Sequence, residues 1–568
     1  MNTRHRHEQG MALLVALFFV GVAIILLSAV GMRLITQDKQ IAHYIDHEEC
    51  VNGLEAAYNQ VKFRVENGEE AKVGMNGWTY TPGTFPNFQD GGITPLKLVA
   101  QPQIEYYGFA QNWSNDNIDN NGDGQVDNVK EAGAYTVYVA ARDGGSTRRV
   151  ETVVMGKDVN VWRNAIFAGS GQVGGVIKGN VSIHGSVHIL GNNLPAGGEA
   201  IAALDMSGTS LIHNNYADCP ADLAARVPAL PTTDFGGETI GTIDAKLRVK
   251  HGLVSLSGNS EVGEVNLAGN TFKETMDGTY VSEGWTGNAV VDDGDRGDPK
   301  SVWSDNGWDE LYDLGDRVPF PVLTDDWRAP VTGARVWDAS MGKWYSHQDY
   351  FDQVLLADPN NKTDGVYTGD IDIYTQGSHF YWNATKNIKL VGSLPATAPD
   401  STDDYILFNV TNKTLQINGQ VTVNGKLTIR GKSNAPTVNY SGRGAILVHG
   451  DVQLDCNLLT CNNANPANTA NSFPAANCMG LMASGSMVVG SVAQVSLMGA
   501  FYAQNKIACS KQTNVMGTFV SQYFDMGTNV PSIFQVPALA DNLPLGMIGN
   551  YPIMSLSRVS WRELGATL

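Results

Sequence analysis

Hydrophobic and polar positions change texture several times along the chain. From Met11 to Gly31 no residue is charged, and Ser28 is the only polar one. At 1.5 Å per residue, such a run covers roughly 30 Å, the thickness of a bilayer's apolar core. Beyond it, Ile41, Ile45, Val51, Leu54, Tyr58, Val61 and Val65 recur mostly at spacings of three and four. That is the period of an amphipathic helix, and no proline separates it from the apolar run, although Gly53 weakens it. The pattern predicts one helix of roughly 55 residues and ~85 Å. Residues 11–35 would cross a membrane, and 36–68 would continue as the amphipathic part.

The period then shifts to two. Residues 69–160 read as a small antiparallel sheet, with a strand in "PQIEYYGFAQ" and a hairpin in "AYTVYVAARDGGSTRRVETVVMG" around Asp143-Gly144-Gly145. Further on, "LQINGQVTVNGKLTIRG" repeats every six residues. Leu415, Ile417, Val421, Val423, Leu427 and Ile429 alternate with polar positions, and Gly419, Gly425 and Gly431 stand at the corners. "NVSIHGSVHILG" has the same pattern, and longer repeats begin at Gly444, Gly480, Gly499 and Gly517. Short strands with alternate apolar residues and corner glycines predict a parallel β-helix. Two blocks, 161–284 and 346–545, would flank an insertion at 285–345 that projects from the stack, with a tail at 546–568. The expected fold class is α+β: a long N-terminal helix with a small antiparallel sheet, then a mainly β right-handed parallel β-helix.

Composition narrows the function. The net charge is −19 with pI about 4.9, which disfavours a phosphate-backbone partner, so no nucleic acid is expected. The N-terminus is locally basic at Arg4 and Arg6, which holds that end in the cytoplasm. None of the six cysteines forms a CxxC, which removes zinc-ribbon, redox and haem-attachment spacings. In an exported chain, Cys456, Cys461, Cys478 and Cys509 are disulfide candidates of undetermined connectivity.

Three clusters carry candidate chemistry. In "NDNIDNNGDGQVDN", Asp119, Asn121, Asp123, Gln125 and Asp127 place oxygen ligands on alternate residues, with Gly124 allowing the sharp turn, as a Ca²⁺ loop requires. The twelfth-position Glu of an EF-hand is missing: Lys130 stands there. In the insertion, Trp303, Trp308 and Trp327 stand among aspartates and prolines. Exposed, they would form a glycan- or protein-binding surface; packed, they would fasten the insertion down. Asp370 and Asp372, with His379 nearby, and Asp451 with Asp455 are the best acid pairs for a polysaccharide-acting site. They read more simply as solvated edge carboxylates. No GxSxG, HExxH or phosphate loop occurs, and the chain is not expected to be an enzyme.

The leader ending in Gly10, the apolar run from Met11 and its amphipathic continuation resemble the N-terminus of type IV pilins and pseudopilins. The resemblance implies cleavage between Gly10 and Met11 by a prepilin peptidase, with methylation of Met11. Most pilins carry a glutamate five residues after the cut, and this chain has Val15 there. That departure, and "GMALLVALFFVGVAIILLSAVGMRLITQDKQIA", resembles PilX-like minor pilins, with a β-helix attached. The resemblance implies a tip or assembly-priming subunit, with an enlarged head suited to adhesion. Its partners would be other major and minor pilins, the assembly platform and a tip adhesin. It would reside in the bacterial inner membrane first and at the extracellular pilus tip after assembly. A pseudopilin tip subunit of a type II secretion system and a membrane-anchored polysaccharide enzyme are the alternatives.

Overall fold

In a computed structural model of the chain, the apolar run and its amphipathic continuation form a single helix, Arg4–Glu66, of 63 residues, about 95 Å long. The structure describes residues 4–66, 70–79, 81, 84–113, 118, 134–143, 146–170, 177–178, 182–194, 201–235, 237–287, 291–292, 301–305, 312, 314, 318–328, 335–353, 365–432, 436–462, 467–526, 531–550 and 554–564. The chain divides into two units: Met1–Asp158 with Met554–Leu568, and Val159–Ile553.

In the first unit the helix packs on an antiparallel sheet. Glu105–Asn112, Ala134–Asp143 and Ser146–Asp158 form its consecutive centre. Leu54, Tyr58, Val61 and Val65 of the predicted helical stripe, joined by Ala57, are buried against Tyr106, Val137, Val139, Ala141, Val150 and Val154. Gly53 has a packing role that outweighs its low helix propensity. A Cβ there would lie 2.7 Å from Ile104 Cγ2 and 2.8 Å from Ala141 Cβ, so the helix can approach the sheet only with glycine at this point. The sheet is completed from the far end of the chain. Met554–Arg558 and Arg562–Leu564 both pair antiparallel with Ser146–Asp158. Arg148 donates two hydrogen bonds to the Glu563 carboxylate, at 2.8 and 2.6 Å.

In the second unit, the inward positions of the six-residue repeat are all buried: Leu415, Ile417, Val421, Val423, Leu427 and Ile429 are each at most 1% exposed. Their strands join a mixed sheet of 25 strands among the described residues. One row of aligned residues runs Val421, Ile446, Leu481, Phe501, Phe519, Ile166, Val187, Leu247, Thr279. The order climbs through the later block, drops to the start of the earlier one and climbs again.

This arrangement corrects the expected fold class. The chain is mostly β with one long helix rather than α+β, and its β region is a large mixed sheet rather than a right-handed parallel β-helix. Antiparallel pairs join Phe380–Asn383, Ile388–Val391, Tyr405–Asn409 and Thr414–Asn424 within it. The later block also meets the earlier one out of chain order, through Phe519 beside Ile166 and Ile533 beside Ile183. Alternation dictates which side chains face inward, but it does not say which strand lies alongside, because any in-phase strand can extend a ladder.

That order leaves the two blocks open at opposite ends of the row, and the segment between them must travel back. The described parts of 312–351 do so. Tyr312 is hydrogen-bonded to His188, and Phe320 stacks near Phe167 and Tyr502 at 6.3 and 6.0 Å. The Leu323 N–H donates to Gln504 Oε1 at 3.3 Å, and Thr422 Oγ1 donates to the Phe351 carbonyl at 3.1 Å. The described parts of 312–351 thus form a strap along the sheet.

Candidate membrane anchor and assembly face

The helix carries two different surfaces. Leu14–Leu34 has a mean hydropathy of 2.8, and none of it is buried within the structure. Leu17, Phe18, Phe19, Ile25 and Leu27 are each about two-thirds exposed or more. Exposure of that many large apolar side chains on one helix is stable only in lipid or against other apolar helices. Its hydroxyls are already satisfied: Ser28 Oγ donates to the Ile24 carbonyl and Thr36 Oγ1 to the Met32 carbonyl, both at 2.8 Å, so neither is an unpaired donor in an apolar medium. Val15 is half exposed on this surface, where a carboxylate would be an uncompensated charge.

The C-terminal part of the helix is one-sided. Its buried stripe faces the sheet, while Asn52, Glu55, Asn59 and Phe63 face outward. Gln60 Nε2 donates to Tyr106 Oη at 2.7 Å, tying the helix to the sheet on its polar flank.

Gly10 and Met11 both lie on the helical backbone, inside Arg4–Glu66. Asp119, Asn121, Asp123, Gln125 and Asp127 lie outside the described residues, as does Trp308. Cys456, Cys461, Cys478 and Cys509 are buried thiols. Burial pushes Cys456, Cys478 and Cys509 up to about 12, which leaves them without thiolate character near neutrality.

The acid pairs serve the fold. Asp372 is held by the Arg430 guanidinium at 2.8 and 2.7 Å, and Asp370 accepts the Lys426 N–H at 2.8 Å. Asp451 accepts the Ser486 N–H at 2.8 Å. Asp455 is buried and accepts hydrogen bonds from Ser491 and Val492. Each carboxylate ties its own segment to one further along the chain.

The tryptophans divide by environment. Trp327 is 8% exposed and stacks on Tyr350 with centroids 4.5 Å apart and planes at 10°. Trp303 is half-buried in a short strand. Among the described residues of 312–351 the exposed tryptophans, which the sequence did not single out, are Trp337 and Trp344, at 51% and 37% exposure.

No family model matches the chain, and no curated protein matches it. Among solved structures it is similar to the crystal structure of the competence-associated pilin ComZ from Thermus thermophilus. That match has 16% identity and a TM-score of 0.43, and covers 92% of this chain and 96% of that one.

Proposed function

We propose that this chain is a pilin-type subunit of a type IV filament system, a minor subunit seated at or near the filament tip. One observation carries the reading: a continuous 63-residue helix is strongly apolar and unburied through Leu14–Leu34 and then packs on an antiparallel sheet. Such a helix can lie in the inner membrane first and exchange lipid for the apolar helices of other pilins afterwards. The prepilin peptidase would cut between Gly10 and Met11 and the new amino terminus would be methylated. Val15 in place of the usual glutamate supports a place outside the repetitive shaft. The second unit would then be displayed outside the cell, where an adhesive role suits it.

Mass spectrometry of the mature N-terminus, from cells with and without the prepilin peptidase, tests the reading. A chain beginning at N-methylated Met11 only when the peptidase is present is expected. An intact leader in both strains would overturn it.

Two accessory features belong to the same reading. Asp119, Asn121, Asp123, Gln125 and Asp127 would hold Ca²⁺ through hard oxygen ligands; chelation should lower the melting temperature, and Asp123→Asn should remove that response. Pairing among Cys456, Cys461, Cys478 and Cys509 on export is checked by counting maleimide-reactive thiols in the denatured, unreduced protein.

A further inference from the structure

Trp337 and Trp344 face one another across a short antiparallel pair, Trp337–Asp338 with Lys343–Trp344. Their rings stand 5.1 Å apart with planes at 77°, forming a corner. The turn between them is fixed: the Asp338 carboxylate accepts the Ser340 N–H at 2.8 Å, the Ser340 hydroxyl at 2.6 Å and the Met341 N–H at 3.2 Å. The base is fixed too. Arg328 and Arg335, and Asp326 and Ser346, are bridged antiparallel, while Trp327 between them stacks on buried Tyr350. A rigid platform therefore presents two indoles to solvent, with Met341 at the tip 45% exposed.

The charges around the corner are spent internally. Arg335 donates to Asp326 at 3.0 Å and lies over the Trp344 ring at 4.6 Å. Lys343 pairs with Asp349 at 2.8 Å. The apolar ring faces are thus flanked by neutralised groups, and neither indole N–H has a partner among the described residues. A ligand that suits this corner has C–H faces to lie on an indole, hydroxyls to accept its N–H, and no charge. Because Arg335 covers one face of Trp344, Trp337 offers the more open ring.

We propose that this corner binds a neutral oligosaccharide, with Trp337 as the stacking platform and Trp344 as its side wall. Planes at 77° grip one or two sugar rings and do not match a flat crystalline surface. The proposal stands on the second unit alone and does not need the filament reading.

The test uses the full-length protein in a detergent without a sugar headgroup, titrated with soluble cello-, chito- and malto-oligosaccharides while tryptophan fluorescence is followed. Oligo-dT and an alginate oligomer serve as charged counter-probes. At least one neutral series should bind, W337A should weaken it about tenfold or more, and W344A should weaken it less. W327A is avoided because that ring is core; W337F should retain part of the affinity, which separates lost stacking from misfolding. Failure of all three neutral series, or binding that W337A leaves intact, overturns the proposal. Preferential binding of oligo-dT or alginate overturns it in favour of a polyanion, and self-association abolished by W337A in favour of a second copy of the chain.

Discussion

Asp158 and Met554 sit opposite each other as antiparallel partners, although the whole second unit lies between them in the chain. The second unit is thus inserted where an ordinary hairpin would have its turn. Its own ends are also tied: the Trp162 indole, fully buried, donates to the Ile548 carbonyl at 2.7 Å.

Replacing 159–553 by Asn-Gly, a dipeptide suited to a two-residue hairpin, should therefore leave the first unit folded. Hydrogen exchange in detergent should show Ser146–Asp158 protected as in the full chain. Unprotected amides there would mean that the first sheet depends on the insertion.

Gly53→Ala should destabilise the first unit by about 1–3 kcal/mol. In an exposed helix the same change would stabilise by ~1 kcal/mol, so the sign reports the close contact with Ile104 and Ala141. Urea unfolding followed by the signal of the first unit measures it.

Phe519 lies between Phe501 and Ile166 at the join of the two blocks and is fully buried. Phe519→Ala should cost ~3–5 kcal/mol. Because the join is non-local, the loss should appear as a lower melting temperature of the whole second unit rather than as local fraying.

Stability of the second unit should fall on acidification. Burial lowers His347 to about 4, and burial with the His213 neighbour lowers His184 to about 3. Both imidazoles fold neutral, while the unfolded chain takes up protons near its ordinary value of about 6.5. The contribution is whole above that value and is lost as pH drops toward the folded values. At about pH 5 each histidine costs ~2 kcal/mol. Denaturant midpoints measured above and below neutrality check the slope, and His347→Gln should remove its share.

The helix and its buried stripe were legible because a spacing of three and four over seven apolar residues admits one interpretation. The inward residues of 415–431 were legible for the same reason at period two. The neighbours of those strands were not, since alternation is silent on strand order. Met554, Leu556 and Arg558 close the first sheet, and their faint alternation gives no hint that their partner lies before residue 159. Trp337 and Trp344 look in sequence like Trp327, and only the strap's path along the sheet decides which indoles are core. The turn residues Asp338 and Gly342 between them were the available sign of a hairpin.

Inserting a domain at a hairpin has a mechanical corollary. Tension applied to the helix and its sheet has a hydrogen-bonded route across the Asp158–Met554 pair and does not have to pass through residues 159–553. Residues 159–553 are a branch in the covalent path, so a load carried within the first sheet alone does not require them to transmit it. A load applied to the second unit itself, by contrast, enters the first sheet at that pair, through both strands at once.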